Sequence, residues 1–208
     1  MVRIETIQKE LSILLNKKII NGKVLLQNCK FIDENSRKTP AYGDYMYAPF
    51  YYHLGKFVKP KNVFSWNFTL GFLEKCFFMS CKETETFFSF RKKDENLYFS
   101  PRMGSYNVKK SFKKEFDFYH GSIYDDEIND KITSQKWDCF FITDENSYDD
   151  LLYYLDTSWK NMADGGIVVV EYIKDLKKMK NAFYAFAESV EKEPIIYNTR
   201  YGTGILQK

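Results

Sequence analysis

Residues 137–172, WDCFFITDENSYDDLLYYLDTSWKNMADGGIVVVEY, constrain the fold more than any other stretch of the chain. Trp137 to Thr143 is apolar but for Asp138 and the closing Thr143, with Cys139 to Ile142 continuous, the pattern of a strand covered on both faces. Ser147 offers a side-chain oxygen to cap a helix running through Trp159. Asp164-Gly165-Gly166 reads as a tight turn. Ile167 to Tyr172 is β-branched enough to form a second buried strand. Strand, helix and strand in this order require a right-handed crossover and parallel pairing.

The same rhythm extends to both sides. Val63 to Trp66 reads as a short buried strand, Thr69 to Ser80 as a helix, Thr86 to Arg91 as a Phe-rich strand and Phe116 to Tyr119 as another. Residues 92–114 carry no clear period. Lys174 to Val190 is helical, and Ile195–Thr199 with Gly204–Gln207 reads as an antiparallel pair around Tyr201-Gly202. Ile4, Ile7, Leu11, Leu14 and Leu15 stand at helical spacing near the start. A polar loop at 33–43 follows, then a short aromatic helix over 45–57. Lys59-Pro60-Lys61-Asn62 breaks that helix. We therefore expect a helical and aromatic accessory segment over 1–58 and an α/β domain over 59–208, in the form of a three-layer sandwich on a mostly parallel sheet.

Composition narrows the function classes. The chain has 208 residues, with 31 basic and 28 acidic ones and a net charge of +3, so charge alone gives no reason to expect a nucleic-acid partner. Cys29, Cys76, Cys81 and Cys139 form no CxxC pair, and His53 and His120 lie far apart, so no zinc or disulfide framework is legible. The opening MVRIETIQKELSILL is interrupted by charge too often for a signal peptide or a membrane span, which makes the cytoplasm the expected location. The aromatic share of 18% exceeds what a core of this size needs, and part of it is expected in a groove or interface.

The block 137–172 and the ending EPIIYNTRYGTGILQK resemble the class I S-adenosylmethionine-dependent methyltransferases, closest in style to the small-molecule O-methyltransferases. The resemblance runs from about Lys59 to the C-terminus. It implies a Rossmann-like, mostly parallel seven-stranded sheet ending in an antiparallel β-hairpin, with S-adenosylmethionine as cofactor. In that family an acid and spaced glycines follow the first strand. Ser65, Asn67, Thr69 and Gly71 occupy those positions here, and only Gly71 is identical. The family acid after the second strand, which holds the ribose hydroxyls, corresponds to Arg91, with Asp94 three residues on. Ser122 falls in the loop that borders adenine. Asp144, after the fourth strand, corresponds to a catalytic or metal-binding acid of the family; it would serve as general base, cofactor contact or divalent-ion ligand, or as a plain loop or helix-capping acid. Tyr172 follows Glu171 where metal-dependent relatives carry a further polar ligand, so no metal is expected.

Other candidates carry plainer readings beside functional ones. Ser122 could equally cap a helix beginning near Ile123. A lone histidine such as His120 is more often structural than basic. Tyr42, Tyr45, Tyr47, Tyr51 and Tyr52 could form a lid, cover the sheet or build a homo-oligomer contact. Lys109, Lys110, Lys113 and Lys114 read as a solvated face. The functional expectation is methyl transfer to an unidentified acceptor, a small molecule or a polymer-borne oxygen or nitrogen, with cofactor binding weakened by the departures at 65–71 and Arg91. The alternative is a non-catalytic binding or assembly module, a pseudoenzyme that keeps the fold and recruits a protein partner.

Overall fold

The computed structural model describes residues 9, 47–93, 101–143, 147–174, 176–199 and 201–208. The segments expected as an N-terminal helix (Lys9 apart) and as a loop over 33–43, together with Tyr42, Tyr45, Asp94 and Asp144, lie outside the described residues. The chain forms two compact units. One takes Met1–Pro60, Thr69–Glu85 and Asp94–Phe116; the other takes Lys61–Phe68, Thr86–Lys93 and Asp117–Lys208.

The second unit carries the sheet. Its strands are β1 (Asn62–Trp66), β2 (Thr86–Lys92), β3 (Glu115–Gly121), β4 (Trp137–Ile142), β5 (Met162–Glu171), β6 (Ile195–Tyr197) and β7 (Thr203–Gln207), in the spatial order β3-β2-β1-β4-β5-β7-β6. β1 pairs in parallel with both β2 and β4, and β4 with β5. β7 runs antiparallel to both of its neighbours. This is the mostly parallel seven-stranded sheet with an antiparallel end that the resemblance implied. Strand order reverses at β1. The chain steps outward from β1 to β2 and β3, then returns to β4 on the other side.

Alternation along the strands explains the core. Phe64 and Trp66 of β1, Phe88 and Phe90 of β2, Phe140 and Ile142 of β4, and Val168 and Val170 of β5 turn to one face. The helices α4 (Asp126–Thr133), α5 (Tyr148–Asn161) and α6 (Lys177–Ser189) cover them through Ile128, Ile132, Leu151, Tyr154, Leu155, Met179, Phe183 and Phe186. Ser147 caps α5 as the sequence suggests, its side chain accepting from the Asp150 amide.

Three local features differ from the sequence reading. Residues 164–166 are not a free turn but the start of β5, where the β4–β5 register shifts and Gly165 takes φ 75°. The C-terminal Lys208 main chain bonds to Gly165 and Gly166 and holds that bulge in place. Helix α4 begins at Asp126, with Asp125 rather than Ser122 at its N-cap. The helix expected from Thr69 starts only at Phe72.

The first unit contributes α1 (Tyr47–Val58), α2 (Phe72–Ser80) and α3 (Pro101–Lys109). The last of these fills part of the 92–114 stretch, which carries no clear period. Phe78 packs on Phe112 at 4.6 Å between ring centroids. Ser80 donates to the Tyr52 and Phe77 carbonyls. No described helix is long and apolar enough to cross a membrane.

His53 of α1 is 3% exposed, and neither ring nitrogen has a hydrogen-bond partner among the described residues. Burial, helped by the nearby Lys56 charge, lowers its pKa below the ordinary 6.5. The unfolded chain therefore binds the His53 proton more readily than the folded chain does. Stability should be full above about pH 6.5 and should fall as the pH drops from there through the lowered folded pKa. Urea unfolding midpoints at pH 7.5 and pH 5.5 check this. His53→Leu should lose less stability than the wild type between those two values, and equal losses would contradict the assignment.

Candidate functional site

Open parallel sheets bind ligands beyond the carboxyl ends of their strands, at the point where strand order reverses. In the second unit that point is the end of β1. The chain leaves the strand at Asn67, which takes a left-handed φ of 53°. The backbone stays tied on both sides. The Thr143 amide donates to the Trp66 carbonyl at 3.3 Å, and the Phe68 amide donates to the Phe90 carbonyl at 2.9 Å.

Asn67 is the centre of a polar knot. Its carbonyl accepts from Arg91 Nη1 at 3.1 Å and from Thr143 Oγ1 at 3.2 Å. Its Oδ1 accepts from the Tyr154 hydroxyl at 3.4 Å. Left-handed backbone costs little at Asn, whose short amide finds local partners of this kind. Beneath it, Trp66 stacks on Tyr154 at 4.6 Å and donates Nε1–H to Ser158 Oγ at 2.9 Å. Phe68 is buried against Phe87 and Phe118. Ser65 is fully buried within β1, beside Ser89 of β2 and Phe141 of β4.

The carboxyl ends of β2 and β3 lie alongside, joined where the Lys93 amide donates to the Gly121 carbonyl at 2.8 Å. Arg91 is half-buried, while Lys93, His120 and Ser122 are exposed. His120 stacks on Phe118 at 6.5 Å. Burial first, then the Lys93 and Arg91 charges, lowers the His120 pKa. Asp125 organises the following loop, its Oδ2 accepting from the Tyr119 hydroxyl at 2.6 Å and the Ser122 amide at 2.8 Å. Those bonds hold the Asp125 carboxyl below its ordinary range and push the Tyr119 hydroxyl up to about 12. Ser122 Oγ accepts from the Tyr124 amide at 3.2 Å. Lys92 points away from Arg91 and pairs with Asp150 of α5 at 2.5 Å.

Within the second unit Arg91 and Asn67 are joined directly, Ser65 is sealed inside the sheet, and Ser122 stands in the exposed loop after β3. Thr69 and Gly71 belong to the first unit. There Gly71, at φ 66°, precedes α2, and the buried Asn107 side chain holds the Leu70 carbonyl at 2.9 Å. Asn107 is absent from the sequence-derived candidates because its bond spans 37 residues and its helix shows no apolar period.

At the end of β5, Glu171 is 1% exposed. Tyr172 follows with φ 63°, and its ring stacks on Tyr201 at 5.1 Å and 15°. Ile173 and Lys174 donate their amides to Gly202 and Tyr201, locking the two turns together. Gly202 is obligatory there, at φ 77° with Lys174 packed where a Cβ would stand. Among the described residues no three His, Cys, Asp or Glu side chains are placed to hold a metal ion.

In the lysine run, Lys113 donates to the Lys109 carbonyl, Lys114 donates to the Lys82 carbonyl, and Lys110 sits over the Tyr106 ring at 4.7 Å. Three of its four ammonium groups therefore have contacts within their own unit.

No protein-family model matches this chain, and no curated protein does. Solved structures match its fold. The SAH-bound methyltransferase PaMTH1 of Podospora anserina superposes with a TM-score of 0.61 at 14% identity, covering 99% of this chain and 97% of that one. The O-methyltransferase from Bacillus cereus in complex with SAH gives 0.60 at 10% identity, covering 94% and 90%. The O-methyltransferase TomG from Streptomyces achromogenes, involved in tomaymycin synthesis and solved with SAM, gives 0.56 at 10% identity, covering 93% and 88%. The fold is the Rossmann-like fold of class I methyltransferases.

Proposed function

We propose that the chain is an S-adenosylmethionine-dependent methyltransferase of the O-methyltransferase kind, acting on a small-molecule acceptor. The observation that supports this most is the left-handed Asn67 turn, placed at the strand-order reversal of a β3-β2-β1-β4-β5-β7-β6 sheet.

The residues present suit the cofactor in part. The Asn67 turn supplies the sharp departure from β1 that lets a ligand approach main chain, and its hydrogen bonds hold it in that form before any ligand arrives. Arg91 can donate to a ribose oxygen but accepts no hydroxyl proton, so it holds a diol less completely than a carboxylate does. Ser122 keeps a hydroxyl at the adenine side. The cofactor, when bound, supplies a sulfonium-borne methyl group to an oxygen nucleophile. The protein contributes alignment of that nucleophile and removal of its proton. Asp144 is the proposed base, and the Tyr172–Tyr201 stack is the proposed rim beside the acceptor.

Titration calorimetry with S-adenosylhomocysteine tests the reading. A saturable one-site isotherm is expected. No heat at millimolar ligand would overturn it and leave the non-catalytic alternative.

A further inference from the structure

The sheet ends at β3, which pairs only with β2 among the described strands. Main-chain groups of an extended strand point to its two sides by turns. The Asp117 carbonyl accepts from Ser89 Oγ of β2 at 3.4 Å, and the Gly121 carbonyl accepts from the Lys93 amide. Between them, the main-chain groups of Phe118 and His120 therefore point off the sheet. An edge of this kind is a template on which another extended chain can pair. The side chains alternate as well. Asp117 and Tyr119 turn to the α4 face, where Asp117 meets Lys131 and Tyr119 stacks on Phe90. Phe118 turns to the other face, where it meets Phe68.

Beside this edge a groove of about 730 Å³ opens between β3 and α4, lined by Phe88, Asp117, Tyr119, Glu127, Asp130 and Lys131 among others. Glu127, Asp130 and Lys131 share one face of α4, at the helical spacing that makes such residues neighbours. Lys131 shows what the groove accommodates. Its ammonium lies 3.3 Å from the Asp117 carboxylate and 5.3 Å from the centre of the Phe88 ring. A carboxylate beside an aromatic face is a site for a cation. Glu127 and Asp130 are exposed, and neither forms an ion pair among the described residues. The groove thus presents three carboxylates and one ammonium, and a further cation is what its charge lacks.

We propose that the β3 edge and this groove form a docking surface for an extended basic segment of another protein, which adds to the sheet as an outer strand and lays lysine or arginine side chains into the groove. Main-chain pairing supplies the affinity in this mode, and pockets for alternate side chains supply the specificity. The segment that fits alternates basic residues, turned to Asp117, Glu127 and Asp130, with apolar residues, turned to the half-buried Phe118. A second copy of this chain supplies no such strand from the edges of its own sheet. Its β3 would bring Asp117 and Tyr119 to the groove, and its β6 carries Ile195, Ile196 and Tyr197. Like charges facing each other across strands oppose pairing. The surface uses no residue assigned to the cofactor, so a failed S-adenosylhomocysteine titration leaves it standing.

Calorimetry on the full chain uses an end-capped octapeptide of alternating lysine and valine as the probe. Its comparisons are the glutamate–valine counterpart, spermidine, and two N-methylated forms, one blocked at every lysine amide and one at every valine amide. The lysine peptide should bind saturably and at least about tenfold more tightly than the glutamate peptide or spermidine. At least one N-methylated form should bind about tenfold more weakly than the parent, because its blocked amides are those that pair with β3. Asp117→Asn/Glu127→Gln/Asp130→Asn should weaken the peptide at least about tenfold. Asp156→Asn/Glu188→Gln/Glu193→Gln removes equal charge elsewhere and should leave binding within a few-fold. All of these positions are exposed, and an unchanged thermal melt verifies the folds. No binding of the lysine peptide overturns the proposal, as does binding that survives the groove substitutions or falls equally in the control variant. Spermidine or the glutamate peptide binding as tightly as the lysine peptide overturns it too. Full binding by both N-methylated forms overturns strand addition. A dimer in sedimentation that the lysine peptide dissociates would assign the edge to a second copy and overturn the choice of partner.

Discussion

Trp66→Ala lowers the unfolding free energy by about 3–5 kcal/mol, the range found when a buried aromatic is truncated to alanine. Trp66 is 1% exposed at the carboxyl end of β1. The substitution removes its stack on Tyr154 and its edge contact with Phe90, and leaves Ser158 Oγ without the indole donor. A typical domain has only about 5–15 kcal/mol of net stability, so the variant should sit near the folding threshold. Urea titration followed by far-ultraviolet circular dichroism measures the change. Trp66→Phe, which keeps a ring against Tyr154 and loses the Ser158 bond, should cost distinctly less. Equal losses for the two variants would mean that ring packing is not what makes this position sensitive.

The second large effect is at Asn67, where fold and site meet. Asn67→Val places a β-branched side chain at φ 53° and deletes the acceptor of the Tyr154 hydroxyl. Left-handed backbone at such a residue costs about 1–3 kcal/mol, and a buried hydroxyl deprived of a partner adds about 1–3 kcal/mol. Asn67→Gly keeps the left-handed turn and carries only the hydroxyl loss, so it should cost about 1–3 kcal/mol, less than Asn67→Val by the backbone strain. Affinity for S-adenosylhomocysteine should follow the backbone: Asn67→Gly should bind within a few-fold of wild type, and Asn67→Val at least about tenfold more weakly. If glycine and valine weaken binding alike, the amide side chain rather than the turn is what the ligand needs.

These positions also show which parts were readable from sequence. The β4–α5–β5 block was legible because burial on both faces writes a continuous apolar run, and the β6–β7 pair because Tyr201-Gly202 interrupts two apolar segments. The place of Arg91 at the end of β2 followed from the strand–helix–strand spacing. The Asn67 knot was legible only as a residue able to turn left-handed. Its three donors come from Arg91, Thr143 and Tyr154, up to 87 residues away, and no local pattern records them. Helix α3 was hidden because its described buried positions are Gly104, Asn107 and Val108, a single large apolar side chain among them, and Asn107 serves a carbonyl rather than a core. Gly165-Gly166 resembled a turn because its strand character comes from Lys208 at the far end of the chain. Ser122 resembled a helix cap because its loop is organised by Asp125, an acid that only the folded geometry joins to Tyr119.

The central claim is that a nucleoside cofactor binds at the carboxyl ends of β1, β2 and β3 in the sheet-bearing unit. An amide-resolved nuclear magnetic resonance titration of the 24.8 kDa chain with S-adenosylhomocysteine tests it most directly. The account predicts saturable shifts concentrated at Asn67 and Phe68, at Arg91 to Lys93 and at His120 to Ile123, with β6 and α6 unmoved. Shifts confined to other elements, or none at millimolar ligand, would contradict it.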